Sequence, residues 1–223
     1  MADSPTIAVI DSGVHPDHPH IDAARLLPGL SILADGTVLT DAAETLDRLG
    51  HGTAVTAAIQ ELSPQAQILP IRVFRDSLRA SARALAGAIR CAIEARVDLI
   101  NLSLGTANPA HADVFSVLAD EALASGSLIV AAAEAQGAPC WPGCLRQVIG
   151  VGLDWDIPRG APRLSPDGTI MASGYPRPIP GVEPQRNLYG ISFAVAQVTG
   201  WAAANHAITR NALFDRLTES CAD

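Results

Sequence analysis

Three short motifs hold side chains that can jointly carry out nucleophilic chemistry. Ser192 stands in Gly190-Ile191-Ser192, at the head of an almost uncharged run through Phe193, Ala194, Val195, Ala196, Val198, Trp201 and Ala202. That pattern predicts a helix buried on most sides, with Ser192 in its first turn. Unpaired backbone N–H groups and the positive dipole end gather at a buried helix start. They suit a nucleophile whose reaction leaves negative charge on a neighbouring oxygen. His51, in Gly50-His51-Gly52-Thr53, is the side-chain type that accepts and returns a proton near neutral pH, and its glycine neighbours leave room for a substrate. Asp11 follows the apolar run Thr6 to Ile10 and precedes Ser12-Gly13, the place where a buried parallel strand ends at the edge of a sheet. Each motif alone has an ordinary reading: a helix-capping serine, a histidine in a surface turn, and a carboxylate that caps a helix, binds a metal or accepts a phosphoryl group.

The elements that must position these residues alternate between two periods. Strand-like runs occur at Thr6 to Ile10, Ile68 to Phe74, Val97 to Gly105, Leu128 to Ala133 and Val148 to Val151. Between them, Leu78 to Ala95 carries Leu85, Ala88, Ile89, Ala92 and Ile93 at helical spacing, and His111 to Ser125 is a second amphipathic helix. Ala54 to Ile59 is a small-residue run suited to the first turns of a tightly packed helix, and Thr209 to Ser220 reads as a closing helix. Alternation of this kind implies right-handed crossovers and a three-layer α/β fold, with a mainly parallel central sheet and helices on both faces. His15 to Leu49 reads as loops with one short strand around Leu30 to Leu33, and Asp154 to Asn187 as loops with short hairpin strands.

Composition narrows the class. With 223 residues, 48% of them hydrophobic and 17% charged, the chain can bury a sizeable core, and a single domain over residues 1–223 is expected. A formal net charge of -8 without a Lys/Arg cluster argues against nucleic acid as a partner. No apolar run approaches a membrane span, and Met1 to Pro5 lacks the pattern of a secretory signal, so a cytoplasmic location is expected. Cys91, Cys140, Cys144 and Cys221 are then expected to be thiols. The Cys140/Cys144 spacing does not suit a zinc site, and neither metal nor cofactor is expected.

Taken together, Asp11-Ser12-Gly13, His51-Gly52-Thr53 and Gly190-Ile191-Ser192 resemble the subtilisin-like serine proteases, in which the three groups occur in that order. The resemblance covers six segments in register: Ile7 to His18, Gly50 to Ile59, Leu99 to Gly105, Ile129 to Gly137, Trp141 to Gly152 and Tyr189 to Gly200. It implies that Ser192 attacks a peptide carbonyl, that His51 takes the proton and later gives it to the leaving amine, and that Asp11 orients the imidazole and stabilises its charged form. It also implies that the backbone of Ser103, Leu104 and Gly105 pairs with an extended peptide or protein substrate. Ala131, Ala132 and Ala133 would form one wall of the pocket for the residue before the cut.

Departures from the family pattern shape the expectation. Where the family carries Ala-Ala-Gly-Asn, with the Asn side chain donating to the oxyanion, this chain has Ala132-Ala133-Glu134-Ala135, and Ile191 replaces the usual threonine before the serine. Loss of one such donor costs about 10²–10³ in turnover, a figure known from subtilisin itself. A slow, selective endopeptidase is therefore expected, with Gln136 or a partner protein as alternative sources of the missing donor. Glu134 at the pocket wall would either favour a basic residue before the cut or sit close to the developing oxyanion and oppose it. The chain also reads as a compact form without a prodomain or the usual calcium loop, suited to maturing one precursor by removing its leader peptide. A second reading stays open: a protease-shaped peptide-binding subunit completed by a partner protein or by a second copy of the chain.

Overall fold

The computed structural model describes residues 4–135 and 137–220. In chain order the main elements are β1 (Thr6–Asp11), β2 (Leu30–Ile32), β3 (Val38–Leu39), α1 (His51–Leu62), β4 (Gln67–Arg72), α2 (Ala82–Glu94), β5 (Leu99–Leu102) and α3 (Ala112–Ser125). They continue with β6 (Leu128–Ala132), β7 (Glu134–Ala135), β8 (Ala138–Pro139), β9 (Ile149–Leu153), β10 (Arg163–Leu164), β11 (Ile170–Ala172), α4 (Ile191–Ala204) and α5 (Arg210–Ser220). Nine strands form one sheet in the order β10-β11-β9-β6-β5-β1-β4-β2-β3. Its inner ladders are parallel, and the outermost pairs, β10/β11 and β2/β3, are antiparallel.

Alternation along the strands sorts side chains into two cores. Ile7, Val9, Ile68, Leu99 and Val130 face Val55, Ala58 and Ile59 of α1 and the length of α4. Ala8, Ile10, Leu69, Ile71 and Ile100 face Leu85 and Ile89 of α2 and Phe115 and Leu118 of α3. Period-two strands buried on both faces explain why the sequence reads as continuous apolar runs there. The expected three layers are present.

The differences from the sequence reading have local causes. The Ser81 hydroxyl accepts from the Ala84 N–H at 3.0 Å, so α2 starts at Ala82 rather than near Leu78. The strand read as Ile68 to Phe74 stops at Arg72, because the N–H groups of Val73 and Phe74 both turn to the Asp11 carbonyl. The loop-rich segment before α1 holds β3 as well as β2, and β7 pairs with β8 in a hairpin of two-residue strands that the pattern does not announce.

Candidate active site

The carboxyl ends of the parallel strands meet the N-termini of α1 and α4 at one rim. Asp11 is the last residue of β1 and is fully buried. Its Oδ1 accepts from the Ser12 N–H at 2.8 Å and lies 2.7 Å from His51 Nδ1, while Oδ2 is buried with no hydrogen-bond partner among the described residues. His51 opens α1 directly after Gly50, which caps the helix with φ 80°, a left-handed conformation that glycine adopts without strain. Helix α1 then passes so close to the turn after β1 that a Cβ on Gly52 would collide with the Gly13 carbonyl oxygen; instead the Gly52 N–H donates to Ser12 Oγ at 2.8 Å.

Asp47, four residues before His51, holds that helix start. Its Oδ1 accepts from the N–H groups of Leu49 and Gly50, and its Oδ2 from the N–H and hydroxyl of Thr53, at 2.7 to 2.9 Å. Burial opposes the charged form of His51. The hydrogen bond to Asp11, the charge of Asp11 and the charge of Asp47 outweigh it, and the His51 pKa stands above its ordinary value.

Ser192 lies in the first turn of α4, which packs against α1; the ring centroids of His51 and Phe193 are 5.8 Å apart. As the second residue of its helix, Ser192 has an N–H without an intrahelical acceptor. Its hydroxyl donates to the Ser103 carbonyl at 3.2 Å, and the Ser103 hydroxyl returns a bond to the Ser192 carbonyl at 3.2 Å. Among the described residues no hydrogen bond joins Ser192 to His51. Asn101 on β5 donates to Ser103 Oγ at 3.1 Å and accepts from the Thr199 hydroxyl at 3.0 Å, so a buried network ties β5 to α4 behind the serine.

The other residues singled out from the sequence are spread around this rim. Ser103 is buried beside Ser192, while Leu104 and Gly105 border a cavity of about 330 Å³ with Phe74, Leu78, Leu85 and Phe115. Thr106 then pairs with Trp141 as an isolated antiparallel bridge. Ala132 ends β6 and is buried. Ala133 and Glu134 border a second, larger cavity of about 820 Å³, together with Gly152, Asp167 and Met171. Ala135 is exposed on the β7/β8 hairpin and offers only a methyl group. Ile191 packs against the core on the α4 side, and Gln136 lies outside the described residues.

Asp47, Asn101 and Thr199 were not identified as functional from sequence. Only Asp47 leaves a trace there, as an Asp followed by a glycine three residues on, immediately before a helix.

A family model described as the subtilase family matches residues 2–154, a segment that contains Asp11 and His51. The chain belongs to the subtilase family. This subtilase is 30% identical over 162 residues to the intracellular serine protease of Paenibacillus polymyxa, covering 66% of this chain and 48% of that protein. It is 27% identical over 196 residues to the subtilisin-like protease SBT6.1 of Arabidopsis thaliana, covering 75% of this chain and 18% of that protein. The chain thus spans less than half the length of either relative. Among solved structures, the prenylagaramide maturation protease PagA aligns with a TM-score of 0.67 at 25% identity, over 91% of this chain and 75% of that one. A lanthipeptide protease shares the fold with a TM-score of 0.68 at 20% identity, over 93% and 74% of the two chains. Among the described residues, no helix is long and apolar enough to cross a membrane.

Proposed function

We propose that this subtilase is a serine endopeptidase that cleaves a precursor peptide inside the cell, slowly and with high selectivity. The observation that carries the proposal is the 2.7 Å contact between His51 Nδ1 and the buried Asp11 carboxylate, at the start of a helix packed against the one that Ser192 opens. With Nδ1 held by Asp11, the free ring nitrogen Nε2 is the base. It takes the proton as Ser192 Oγ bonds to the scissile carbonyl carbon, and it returns that proton to the leaving amine when the C–N bond breaks. Asp11 stabilises the imidazolium between those steps. Hydrolysis of the acyl-enzyme then repeats the sequence with water as nucleophile. The oxyanion meets the Ser192 N–H, but no side-chain donor at Ala135, and this is the reason for expecting slow turnover.

Substrate binding supplies the missing serine–histidine contact in this scheme. The Ser103 carbonyl, occupied by the Ser192 hydroxyl in the free protein, is the acceptor that an extended substrate lying on Ser103 to Gly105 would use. A substrate N–H arriving there displaces the hydroxyl, and one step between staggered rotamers, about 120°, re-aims it. Precursor maturation is preferred to general digestion because PagA is named as a maturation protease and aligns over most of this chain. The intracellular setting rests on the name of the Paenibacillus polymyxa relative and on Cys91, Cys140 and Cys144, which form no disulfide among the described residues.

The same contacts support a second reading, a peptide-binding subunit that does not cut by itself, because the hydroxyl rests on Ser103 and Ala135 has no donor. A fluorophosphonate probe separates the two. Labelling of the wild type but not of Ser192→Ala supports the endopeptidase. No labelling of the isolated chain refutes it, and labelling restored by a partner protein or a second copy selects the subunit.

A further inference from the structure

Beside the candidate active site, a cavity of about 290 Å³ opens along the first turns of α1, and none of Ser103 to Gly105 lines it. It begins at Gly50, immediately before His51, and runs past Thr53 and Ala54 in the first turn of α1 to Asn187 and Leu188, just ahead of Ser192. A chain that crosses Ser192 with one half on Ser103 to Gly105 therefore carries its other half, the leaving side, toward this cavity. We propose that the cavity lined by His15, His18, His20, Arg48, Arg177 and Leu188 is a subsite for an acidic side chain among the first few residues on the leaving side of the cut. The inference rests on the endopeptidase reading and adds a substrate feature to it.

Charge is the main argument. The protein has 23 acidic against 15 basic residues, yet this lining gathers two arginines and three histidines around one carboxylate. That carboxylate, Asp47, is already committed through both oxygens to Leu49, Gly50 and Thr53. Arg177 donates once, from Nη1 to the His20 carbonyl at 3.1 Å, and no carboxylate pairs with it or with Arg48 among the described residues. A guanidinium carries five N–H donors, so Arg177 keeps most of its fork for a ligand.

The neighbours fit that role. Arg177 is half-buried, and Pro176, Ala54, Ala57, Ile179 and Leu188 supply apolar wall. That wall accommodates the methylenes of a glutamate and thins the water around its carboxylate. The His18 and His20 rings meet edge to face at 5.2 Å. Burial lowers the pKa of His20, the positive surroundings of Arg177 and His18 lower it further, and the charge of Glu61 partly offsets them. The histidines do not converge as a metal-ligand set among the described residues.

The test uses peptides that carry Glu or Gln in turn at each of the first positions after the cut. In wild type, kcat/KM for Glu should exceed that for Gln by about tenfold at one position, the usual worth of a charge-assisted bond. Arg177→Gln should bring that ratio near one, and Arg48→Gln should reduce it. Because the ratio is taken within one protein, a loss of folded material does not mimic the effect. The same peptides are titrated onto Ser192→Ala by fluorescence anisotropy, so the answer does not depend on turnover. Tighter binding of the Glu peptide, weakened by salt, supports the subsite even if nothing is cut. Equal kcat/KM and equal affinity at every position would overturn the subsite while leaving the peptidase assignment standing.

Discussion

Replacing Asp47 tests whether the start of α1 is a built support for His51 or only a convenient turn. Asp47 is buried and accepts four hydrogen bonds, from Leu49, Gly50 and twice from Thr53. At about 1 kcal/mol net for each, Asp47→Ala should cost ~3–4 kcal/mol, a large part of the ~5–15 kcal/mol that holds an ordinary domain together. For a chain of this size that is a fall in Tm of about 10 °C. Asp47→Asn keeps an acceptor on one side and sets an NH₂ against donors on the other, so about half the loss is expected. The charge has a separate readout. Asp47 helps raise the His51 pKa, and a base must be neutral to act. The acid limb of kcat/KM against pH should therefore lie above the ordinary imidazole range and move to lower pH in Asp47→Asn. For stability the sign follows from the raised pKa. The extra stability is fully present below the unfolded value of 6.5 and is lost as pH rises through the folded pKa. The Asn variant should lose it over a narrower window. A thermal melt and a pH–rate profile check both halves. A Tm within about 3 °C of wild type, with the acid limb unmoved, would refute the reasoning.

Further outcomes are expected nearby. Gly52→Ala should abolish cleavage, because its Cβ meets the Gly13 carbonyl and displaces the helix start that carries His51; a variant with native kcat/KM would show that the close approach is dispensable. Ala135→Asn should raise kcat, by at most about 10²–10³, the range known for such a donor in subtilisin; unchanged turnover would mean that the hairpin aims residue 135 elsewhere. Glu134 and Asp167 border the same cavity, so a peptide library should show Arg or Lys before the cut, and Glu134→Gln should weaken that preference; a library without it ends the basic-pocket idea. A non-cleavable peptide covering only the residues before the cut should speed fluorophosphonate labelling by drawing the Ser192 hydroxyl off Ser103, and pure competition would contradict the proposed displacement.

The layers of the fold were legible because their signals are local. Val9, Ile10, Leu99 and Ile100 sit in strands buried on both faces, and such strands write themselves into sequence as unbroken apolar runs between amphipathic helices. Asp11, His51 and Ser192 could be proposed from the sequence for a different reason. Each lies where a strand ends or a helix begins, beside glycine or serine, and those boundaries carry strong turn and cap signals. β3, β7 and β8 carry no such signal. Two-residue strands exist only because a partner strand accepts their backbone bonds, and partner choice is tertiary information.

The supports of the site were hidden for the same physical reason. Asn101 and Thr199 are 98 residues apart and become a pair only when α4 crosses the end of β5. Arg72 alternates with apolar neighbours and yet is buried, because its guanidinium donates to the carbonyls of Glu44 and Phe74 rather than to a carboxylate. Nothing in a strand pattern distinguishes that arginine from a solvated one. What a sequence exposes is therefore the candidate reacting groups, since chemistry restricts their type and their turns. What it conceals is the set of buried hydrogen bonds that aims them, since almost any polar residue can serve once the fold has brought it close. Here the concealed set decides the resting state: the bonds between Ser103 and Ser192 hold the proposed nucleophile, in the free protein, on the strand end along which its substrate is proposed to lie.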